Sequence, residues 1–395
     1  MSDSIERAVD ALENFIREDI SADTPVPLHE PSFEGNEWKY LKDCLDSGWV
    51  SSIGSYVDQL EKETAEVCGT KYGIATVNGV SALHAALIGV GTQANDIVIC
   101  PALTFIATAN AISYCGAVPL FADSENVTFG LDPDKLEQFL KEECVHHSKG
   151  LVHRQSGRRI AAIAVVHVFG HPARMDELLS IAQQYLIPVV EDAAEALGSH
   201  YKERPCGGLS QVGVISFNGN KTITTGGGGL ISTNDEVMAR RLKHLTTTAR
   251  TGQGWNFDHD KVGFNYRMPN LNAALGCAQL EMLPEFIERK RRLAKCYRDL
   301  FKDVDDVSFV SEQNWARSNY WLCAIRVPDI ATRDYFLQLS NHKKLLTRPC
   351  WHLIPETNAY QNSLKIDNLS VAKHLAETLI NIPSSPILSV AMDKH

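Results

Sequence analysis

The sequence VGVISFNGNKTITTGGGGL, residues 212–230, predicts a buried strand, a loop and the start of a second strand. Its first part is apolar and rich in β-branched residues, which is typical of a strand inside a sheet. Lys221 stands in the loop without a neighbouring carboxylate, and the four glycines at 226–229 leave room for a backbone or a ligand to pass close by. A lysine beside glycines is most often an exposed surface residue. The alternative is an amine nucleophile, and two further stretches favour that alternative.

The two further stretches supply an acid and an anion-binding turn. The apolar segment 187–190 leads into acidic residues and predicts a parallel strand with Asp192 at its carboxyl end, where open α/β sheets bind ligands. In the segment 75–87 a strand ends at Gly79 and small residues open a helix, whose free amides suit a phosphate. A phosphate cradle, an acid and a lysine in this order indicate an enzyme that uses pyridoxal 5′-phosphate (PLP). In such enzymes the lysine holds the cofactor covalently and the acid keeps its ring nitrogen protonated.

Five ordered motifs of this sequence resemble the DegT/StrS-type nucleotide-sugar aminotransferases, a branch of the fold type I PLP enzymes. The resemblance extends from Pro27 to Ser385. Its motifs occupy residues 77–83, 101–108, 191–194, 216–221 and 263–268. Within the family, the loop 217–229 is most similar to that of enzymes that aminate C4 of a UDP-linked 4-keto-6-deoxy-N-acetylhexosamine, in bacillosamine and legionaminic acid pathways.

The resemblance implies a role for each motif residue, with Lys221 as the catalytic residue that carries the cofactor. It implies that the other cofactor-binding residues are Gly79, Val80, Phe105, Asp192, Glu195, Ser216 and Asn265. Gly79, Val80 and Ser216 correspond to phosphate-binding positions, and Phe105 to the aromatic residue that stacks on the pyridine ring. Asn265 corresponds to an asparagine that reaches the neighbouring subunit's cofactor, so the expected state is a homodimer with shared sites. The implied sugar-nucleotide contacts are Ser52, Arg267 and His352.

Two positions depart from the family's common pattern. Glu195 stands where many members have glutamine or histidine near the cofactor's phenolic oxygen, and a carboxylate facing a phenolate is repelled unless one of the two is protonated. Relatives that act on UDP-sugars share the glutamate, so it stays a site residue. Gly227 stands where the wider family commonly has an acid.

The implied reaction is a ping-pong transamination. Glutamate gives its amine to the cofactor, which becomes pyridoxamine phosphate, and the UDP-linked 4-keto sugar then receives the amine at C4. A GDP- or dTDP-linked substrate and amination at C3 remain alternatives. A PLP sugar dehydratase is disfavoured by Lys221, because those enzymes have a histidine there. A non-catalytic PLP-binding regulator is disfavoured by the complete set of lysine, acid, serine and asparagine.

Composition restricts the class of protein. The chain of 395 residues is 44% hydrophobic and 22% charged, as in ordinary globular enzymes. Its net charge of -10 argues against nucleic acid and anionic membranes as partners. The segment 1–20 is charged throughout, unlike a signal peptide, so we expect a cytoplasmic protein. The ten cysteines are scattered without metal-ligand spacing, so no metal site is predicted.

The order of elements predicts three regions in an α/β protein. Residues 1–26 form an N-terminal helical extension, with a helix over 4–20 that covers either the core or a partner subunit. Residues 27–270 form a large PLP-binding domain, because strands alternate with helices as in a doubly wound, mostly parallel sheet with right-handed crossovers. Residues 271–395 form a connecting helix, broken at Pro284, and a small C-terminal α+β domain.

Overall fold

The computed structural model describes residues 2–18, 20–252 and 255–389. Asp19 of the predicted first helix and the last six residues of the predicted third region, 390–395, therefore lie outside the described residues. The helices are α1 Ser2–Ile16, α2 Glu37–Ser47, α3 Ser55–Val67, α4 Gly79–Gly89, α5 Ala107–Tyr114, α6 Pro133–Glu143, α7 Met175–Gln184, α8 Glu236–Thr246, α9 Asn270–Leu300, α10 Ile330–His342 and α11 Ser370–Thr378. The strands are β1 Tyr72–Thr76, β2 Ile97–Pro101, β3 Val118–Ala122, β4 Cys144–His147, β5 Gly150–His153, β6 Ile160–Val166, β7 Val189–Asp192, β8 His200–Tyr201, β9 Arg204–Pro205, β10 Val212–Ser216, β11 Gly229–Thr233, β12 Ser308–Phe309, β13 Ala316–Arg317, β14 Cys323–Arg326, β15 Arg348–Pro349, β16 Leu364–Lys365 and β17 Leu379–Ile382.

The large sheet has eight strands within the described ranges, in the order β1-β11-β10-β7-β6-β2-β3-β16. All neighbouring pairs are parallel except those of β11, which runs antiparallel to β1 and β10. This confirms the predicted mostly parallel α/β sheet. The reversal at β11 follows from the loop before it, because a direct return without a crossover helix joins antiparallel neighbours.

Both faces of the sheet are covered, as a doubly wound fold requires. On β6, Ile163 and Val165 belong to one buried cluster, and Ala164 and Val166 belong to a second cluster on the other face. The alternation follows from the period of two along a strand. The polar segment 146–159 begins within a β4–β5 hairpin.

The C-terminal part has its own antiparallel sheet, in the order β12-β14-β17-β15. Helix α1 packs on this part of the molecule, since Val9 and Leu12 share a buried cluster with Tyr297, Ile325 and Phe336. The N-terminal helix therefore covers the core of the small sheet, which is one of the two roles predicted for it. The boundaries of the three predicted regions remain a prediction.

Helix α9 links the large and small sheets. It runs without interruption from Asn270 to Leu300 with Pro284 inside it, so the predicted break is wrong. A proline has no backbone N–H, so it removes one hydrogen bond of the helix, and its ring crowds the preceding turn. Helices α2 and α3 pack along the first half of α9, and this burial holds the helix together across the missing bond. Among the described helices, none combines the length and apolarity that spanning a bilayer requires.

Candidate active site

A cavity of about 470 Å³ opens at the carboxyl edge of the large sheet. Strands β1, β7 and β10 all end at this edge, because they run in the same direction. The cavity is lined by seven of the residues implicated from the sequence: Gly79, Val80, Phe105, Asp192, Glu195, Ser216 and Lys221. The fold thus brings together residues that are up to 142 positions apart in the chain, with Gly79 and Lys221 as the extremes.

One end of the cavity is an anion cradle at the start of α4. The side chain of Asn78 caps the helix by accepting a hydrogen bond from the Ser81 amide at 2.8 Å. The amides of Gly79 and Val80 precede the first hydrogen bonds within the helix and remain available to a ligand. A methyl group on Gly79 would lie only 3.0 Å from Cβ of Ser216. Ser216, at the end of β10, therefore lies directly against the start of α4.

The glycine run allows this close approach. A Cβ on Gly229 would lie 2.6 Å from the carbonyl carbon of Asn78 and 2.7 Å from the amide nitrogen of Gly79. Any other residue would therefore push the cradle away from β11. Gly227 is different, because no atom lies within 4 Å of the position a Cβ would take. Having glycine rather than an acid at position 227 therefore leaves open space where a side chain would lie.

Lys221 is held between a carboxylate and an aromatic ring. Its Nζ lies 3.4 Å from Oε1 of Glu195 and 3.8 Å from the centre of the Trp321 ring. The indole N–H of Trp321 donates to the carbonyl oxygen of Asn220 at 2.7 Å, which fixes the ring against the loop. Trp321 was not among the site residues expected from the sequence. No local pattern distinguishes it, because its two partners, Asn220 and Lys221, lie 101 and 100 residues earlier in the chain.

Asp192 is a buried acid at the end of β7. It accepts hydrogen bonds from the Thr108 hydroxyl at 2.7 Å and the Ala194 amide at 3.2 Å. No lysine, arginine or histidine of the described residues lies within ion-pair distance of it. Burial raises the pKa of Asp192, against the opposing effect of the two hydrogen bonds and the charge of Lys221. A cationic ligand atom would relieve this cost of burial.

Glu195 is also buried, and its second oxygen accepts a hydrogen bond from the Phe169 amide at 2.9 Å. Burial raises the pKa of Glu195, while the positive charge of Lys221 and this hydrogen bond lower it. The repulsion expected between Glu195 and a phenolate is absent when the acid is protonated. Phe169 itself has a left-handed backbone, with φ of 56°, and its ring packs 4.8 Å from Trp351.

Four predicted residues do not line the cavity: Ser52, Asn265, Arg267 and His352. Asn265 is exposed and its side-chain oxygen accepts a hydrogen bond from Nε of Arg267 at 3.0 Å. Asn265 was assigned to a neighbouring subunit's site, which a single chain does not contain. In the C-terminal segment, Arg348 and Trp351 line the cavity while the exposed His352 does not. The roles of these four residues stay predictions.

The residues at this cavity fit PLP. The volume lies within the usual range of about 300–1,000 Å³ for cofactor sites. The helix start and Ser216 suit a phosphate. Asp192, which is buried and has no cationic partner among the described residues, suits a protonated ring nitrogen. The side chain of Phe105, 53% exposed, leaves a free aromatic face toward the cavity. Lys221 supplies the amine for covalent attachment.

Two buried histidines follow strand β6, His167 and His171, and both take part in contacts within the fold. The amide of Ala173 donates to Nδ1 of His167 at 3.0 Å, so Nε2 carries the proton that is shared with Glu191 at 2.9 Å. His167, Glu191 and Cys206 lie close enough to suggest a metal, but these hydrogen bonds already use the histidine. Burial lowers the pKa of His171 to about 4, which keeps it neutral at physiological pH.

Comparison with known proteins gives the same assignment. Residues 31–394 match the model of the DegT/DnrJ/EryC1/StrS aminotransferase family. The chain is 37% identical over 371 residues to a GDP-perosamine synthase of Escherichia coli O157:H7, covering 92% of this chain and 94% of the relative. It is 34% identical over 362 residues to EpsN of Bacillus subtilis (strain 168), described as a putative pyridoxal phosphate-dependent aminotransferase, covering 91% and 90%.

A solved structure resembles the fold over nearly the whole chain. It is that of DesI in the presence of its TDP-sugar product, with a TM-score of 0.82, 26% identity and coverage of 94% of this chain and 92% of DesI. The family uses PLP, which agrees with the fit of the cavity to that cofactor. The chain therefore belongs to the DegT/DnrJ/EryC1/StrS family and is a PLP-dependent aminotransferase of nucleotide-sugar pathways, with the fold type I architecture.

Proposed function

We propose that the enzyme transfers the amine of glutamate to C4 of a UDP-linked 4-keto-6-deoxy-N-acetylhexosamine, giving a UDP-4-amino-4,6-dideoxy sugar of the UDP-N-acetylbacillosamine type. Such a product would serve the synthesis of surface glycans or nonulosonic acids. The observation that carries the proposal is the position of Lys221 between Glu195 and Trp321, above a cradle for phosphate and beside a buried acid. The UDP-linked sugar is supported by the resemblance of the loop 217–229 to the enzymes that use it.

Different residues of the cavity have different roles in the proposed transamination. PLP, when bound, supplies an electron sink that lowers the barrier to proton removal next to the transferred amine. The amides of Gly79 and Val80 and the hydroxyl of Ser216 hold the phosphate. Asp192 keeps the proton on the ring nitrogen, an interaction that gains strength because the carboxylate is only 4% exposed.

Lys221 has two tasks in the proposed reaction. Its Nζ would hold the cofactor covalently and, as a free amine, would take and return the proton at the reacting carbon. Glu195 and Trp321 keep the released amine in place, since their contacts at 3.4 and 3.8 Å leave it little freedom. A protonated Glu195 would present no negative charge to the ring oxygen of a bound cofactor.

We further propose a homodimer in which the surface around Asn265, Arg267 and Ser52 completes the neighbour's site. The loop 49–53 is tied to the start of α9, because Asn270 donates through its amide to Ser51 and through its side chain to Trp49. Several large apolar side chains are exposed in this region, namely Trp38, Leu45, Trp49 and Ile53. Exposed apolar side chains of this size favour burial against a second copy.

A GDP-linked substrate is the second candidate. Its support is the name of the relative that is 37% identical over 92% of this chain, GDP-perosamine synthase. A TDP-linked sugar has weaker support, from the structure of DesI at 26% identity. Amination at C3 rests on no observation of this chain.

The test is a comparison of kcat/KM for UDP-, GDP- and dTDP-linked 4-keto-6-deoxy sugars with glutamate as the common donor. We expect the UDP-linked N-acetylhexosamine to be preferred by at least about 100-fold, since a lost base contact costs about 3 kcal/mol. A preference for the GDP-linked sugar would replace the substrate assignment and leave the transaminase intact. Lys221→Ala serves as the inactive control. If that variant kept full activity, the mechanism would be contradicted.

A further inference from the structure

A buried asparagine stands behind the groups that surround Lys221 and has no role in the reaction described so far. Asn319 lies shortly before β14 and is fully buried, with an exposed fraction of 0%. It does not line the cavity. A buried amide is costly unless its polar atoms are paired, so the partners of Asn319 show what it holds in place.

The side-chain amide of Asn319 joins three segments that are separate in the chain. Its Nδ2 donates to the carbonyl oxygens of Glu195 at 3.0 Å and Leu197 at 2.9 Å, and to the hydroxyl oxygen of Thr222 at 3.2 Å. Its Oδ1 accepts a hydrogen bond from the backbone amide of Trp321 at 2.8 Å. The amide therefore ties the turn after β7 to the lysine loop and to the approach to β14.

These hydrogen bonds require the amide of Asn319 in one orientation. If the amide were reversed, its oxygen would face two carbonyl oxygens and its nitrogen would face the N–H of Trp321, so neither end would be paired. Aspartate has the same shape, but its ionised form offers no donor to the carbonyl oxygens. Only an amide satisfies both ends of this site.

Gly170 leaves the room that the amide needs. A Cβ on Gly170 would lie 2.0 Å from Oδ1 of Asn319, and the φ of Gly170 is +93°, which favours glycine. Ser199 fixes the backbone at the same place, because its hydroxyl accepts from the Asn319 amide at 2.9 Å and donates to the Gly170 carbonyl at 2.8 Å. Both the backbone and the side chain of Asn319 are thus held in one position.

Each segment that Asn319 joins supplies part of the surroundings of Lys221. Glu195 places its carboxylate 3.4 Å from Nζ, and Trp321 places its ring 3.8 Å from the same atom. Thr222 follows Lys221 in the chain, so its position restrains the backbone of the lysine. Because one amide pairs with all three segments, a shift of one relative to the others would break a buried hydrogen bond.

We propose that Asn319 is a positioning residue of the transamination, which sets the direction in which Nζ of Lys221 approaches the reacting carbon. The inference rests on the proposed function, in which this amine moves the proton. Asn319 acts through its neighbours, since it lies outside the cavity. Proton transfer depends steeply on the placement of the base, and a displacement of about 1 Å costs about 100-fold in rate.

The alternative is that Asn319 only stabilises the fold. A variant would then lose stability, but the folded enzyme would keep the wild-type rate and the wild-type surroundings of the lysine. Positioning differs from this alternative in two measurable ways. It changes the rate of proton transfer without changing donor binding, and it changes the charge environment of the Lys221 nitrogen.

The test uses the holoenzyme and the variants Asn319→Ala, Asn319→Asp and Thr222→Val, with Ser340→Ala as a matched control. Ser340 is also 0% exposed, its hydroxyl is hydrogen-bonded to that of Thr347, and neither residue lines the cavity. Stopped-flow absorbance measures the donor half-reaction over a range of glutamate concentrations. A pH titration of the visible absorbance of the bound cofactor follows protonation of the Lys221 nitrogen. Urea unfolding gives the stability of each variant.

We expect Asn319→Ala to slow the donor half-reaction at saturating glutamate by about 10- to 100-fold. The KM for glutamate should stay within about twofold, because Asn319 lies outside the cavity. The midpoint of the pH titration should fall by about half a pH unit or more, since the charged nitrogen loses well-placed contacts with Glu195 and Trp321. Asn319→Asp keeps the shape without the donor and should not restore the rate. Ser340→Ala should lose stability but match the wild type in rate and midpoint.

Thr222→Val removes only the hydrogen bond between Asn319 and the lysine loop, and we expect it to slow the donor half-reaction about threefold. This variant decides the matter if the Asn319 variants do not fold. A wild-type rate and a wild-type midpoint in folded Asn319→Ala, or in Thr222→Val where it alone folds, would overturn the proposal. The pH titration needs neither donor nor sugar, so a wrong substrate assignment would not alter its result.

Discussion

At the residue scale, the environment of Lys221 is determined by side chains from two segments that are distant in the chain. Glu195 comes from the turn after β7 and Trp321 from the approach to β14, and the backbone carbonyl of the neighbouring Asn220 anchors the indole. The indole ring lies 3.8 Å from Nζ and is fixed by its hydrogen bond to Asn220, so it restricts where the amine can go. Contacts of this kind are worth about 2 kcal/mol when water is excluded.

Replacing Trp321 by alanine is expected to slow the donor half-reaction by about tenfold, because the released Lys221 amine loses one of its two positioning contacts. Trp321→Phe keeps an aromatic face and loses only the hydrogen bond to Asn220, so its rate should fall by less. Single-turnover absorbance with glutamate measures both rates. A Trp321→Ala enzyme as fast as wild type would show that Glu195 alone positions the amine.

Glu195 gives a pH-dependent prediction for the cofactor-free protein. Burial raises its pKa in the folded state above the value of about 4.3 in the unfolded chain. Below about pH 4.3 Glu195 is protonated in both the folded and the unfolded state, and it does not lower the free energy of unfolding. As the pH rises toward and through the folded pKa, the unfolded state releases its proton first and the folded state loses stability.

Glu195→Gln removes this loss, so the variant's advantage in unfolding free energy should grow from about pH 5 to about pH 8. Urea unfolding of the two cofactor-free proteins at both pH values measures it. An advantage that shrinks with rising pH would mean that Lys221 outweighs burial and keeps Glu195 ionised.

At the element scale, helix α9 carries a buried lysine that binds backbone next to two strands of the small sheet, β14 and β17. Nζ of Lys290 donates to the carbonyl oxygen of Trp321 at 3.2 Å and to that of Ser384 at 2.5 Å. Lys290 is 1% exposed, and burial lowers its pKa to about 7. The amine thereby holds the backbone of the residue that stacks on Lys221.

Lys290→Met should reveal the linkage between that low pKa and stability. Above about pH 10.4 the amine is neutral in both states, and below pH 7 it is charged in both, so the native protein loses stability as the pH falls through this window. The unfolding free energy of wild type relative to the variant should rise by about 1.4 kcal/mol per pH unit between pH 7 and pH 10. Urea titrations at three pH values test this, and a constant difference would show that Lys290 is not buried as a neutral amine.

The elements themselves were largely predictable from the sequence. Strands β7 and β10 and helix α4 were recognised by apolar runs and by glycine, and these local signals also placed Asp192, Ser216 and Lys221 at the cavity. Trp321 and Asn381 were not predicted to line it, because their position depends on how the small sheet packs over the large one. The predicted helix break at Pro284 was wrong for a similar reason, because packing by α2 and α3 outweighs the local penalty of proline.

At the scale of the whole molecule, the cavity lies between two sheets and, in our proposal, beside a second subunit. Asn265, Arg267 and Ser52 lie on the surface rather than in the chain's own cavity, which is the arrangement expected of residues that serve a neighbour. A site shared in this way makes catalysis depend on association of the two chains.

Mixed dimers test the shared site. Lys221→Ala and Asn265→Ala subunits should each be poorly active alone, but a dimer containing one of each has one site with both native residues. With random pairing, half of the dimers are mixed, so about a quarter of the wild-type activity should return on mixing and re-association. Sedimentation confirms the dimer. Activity no greater than the average of the two parents would place Asn265 outside the neighbouring site.

The most direct measurement of the central claim is the fate of the amine nitrogen. The holoenzyme is incubated with nitrogen-isotope-labelled glutamate and UDP-4-keto-6-deoxy-N-acetylglucosamine, and the sugar product is examined by mass spectrometry and NMR. We predict a 4-amino sugar that carries the label at C4, formed by the wild type and absent with Lys221→Ala. Recovery of the unchanged keto sugar, from a wild-type holoenzyme that does convert glutamate to its keto acid, would contradict the proposed acceptor.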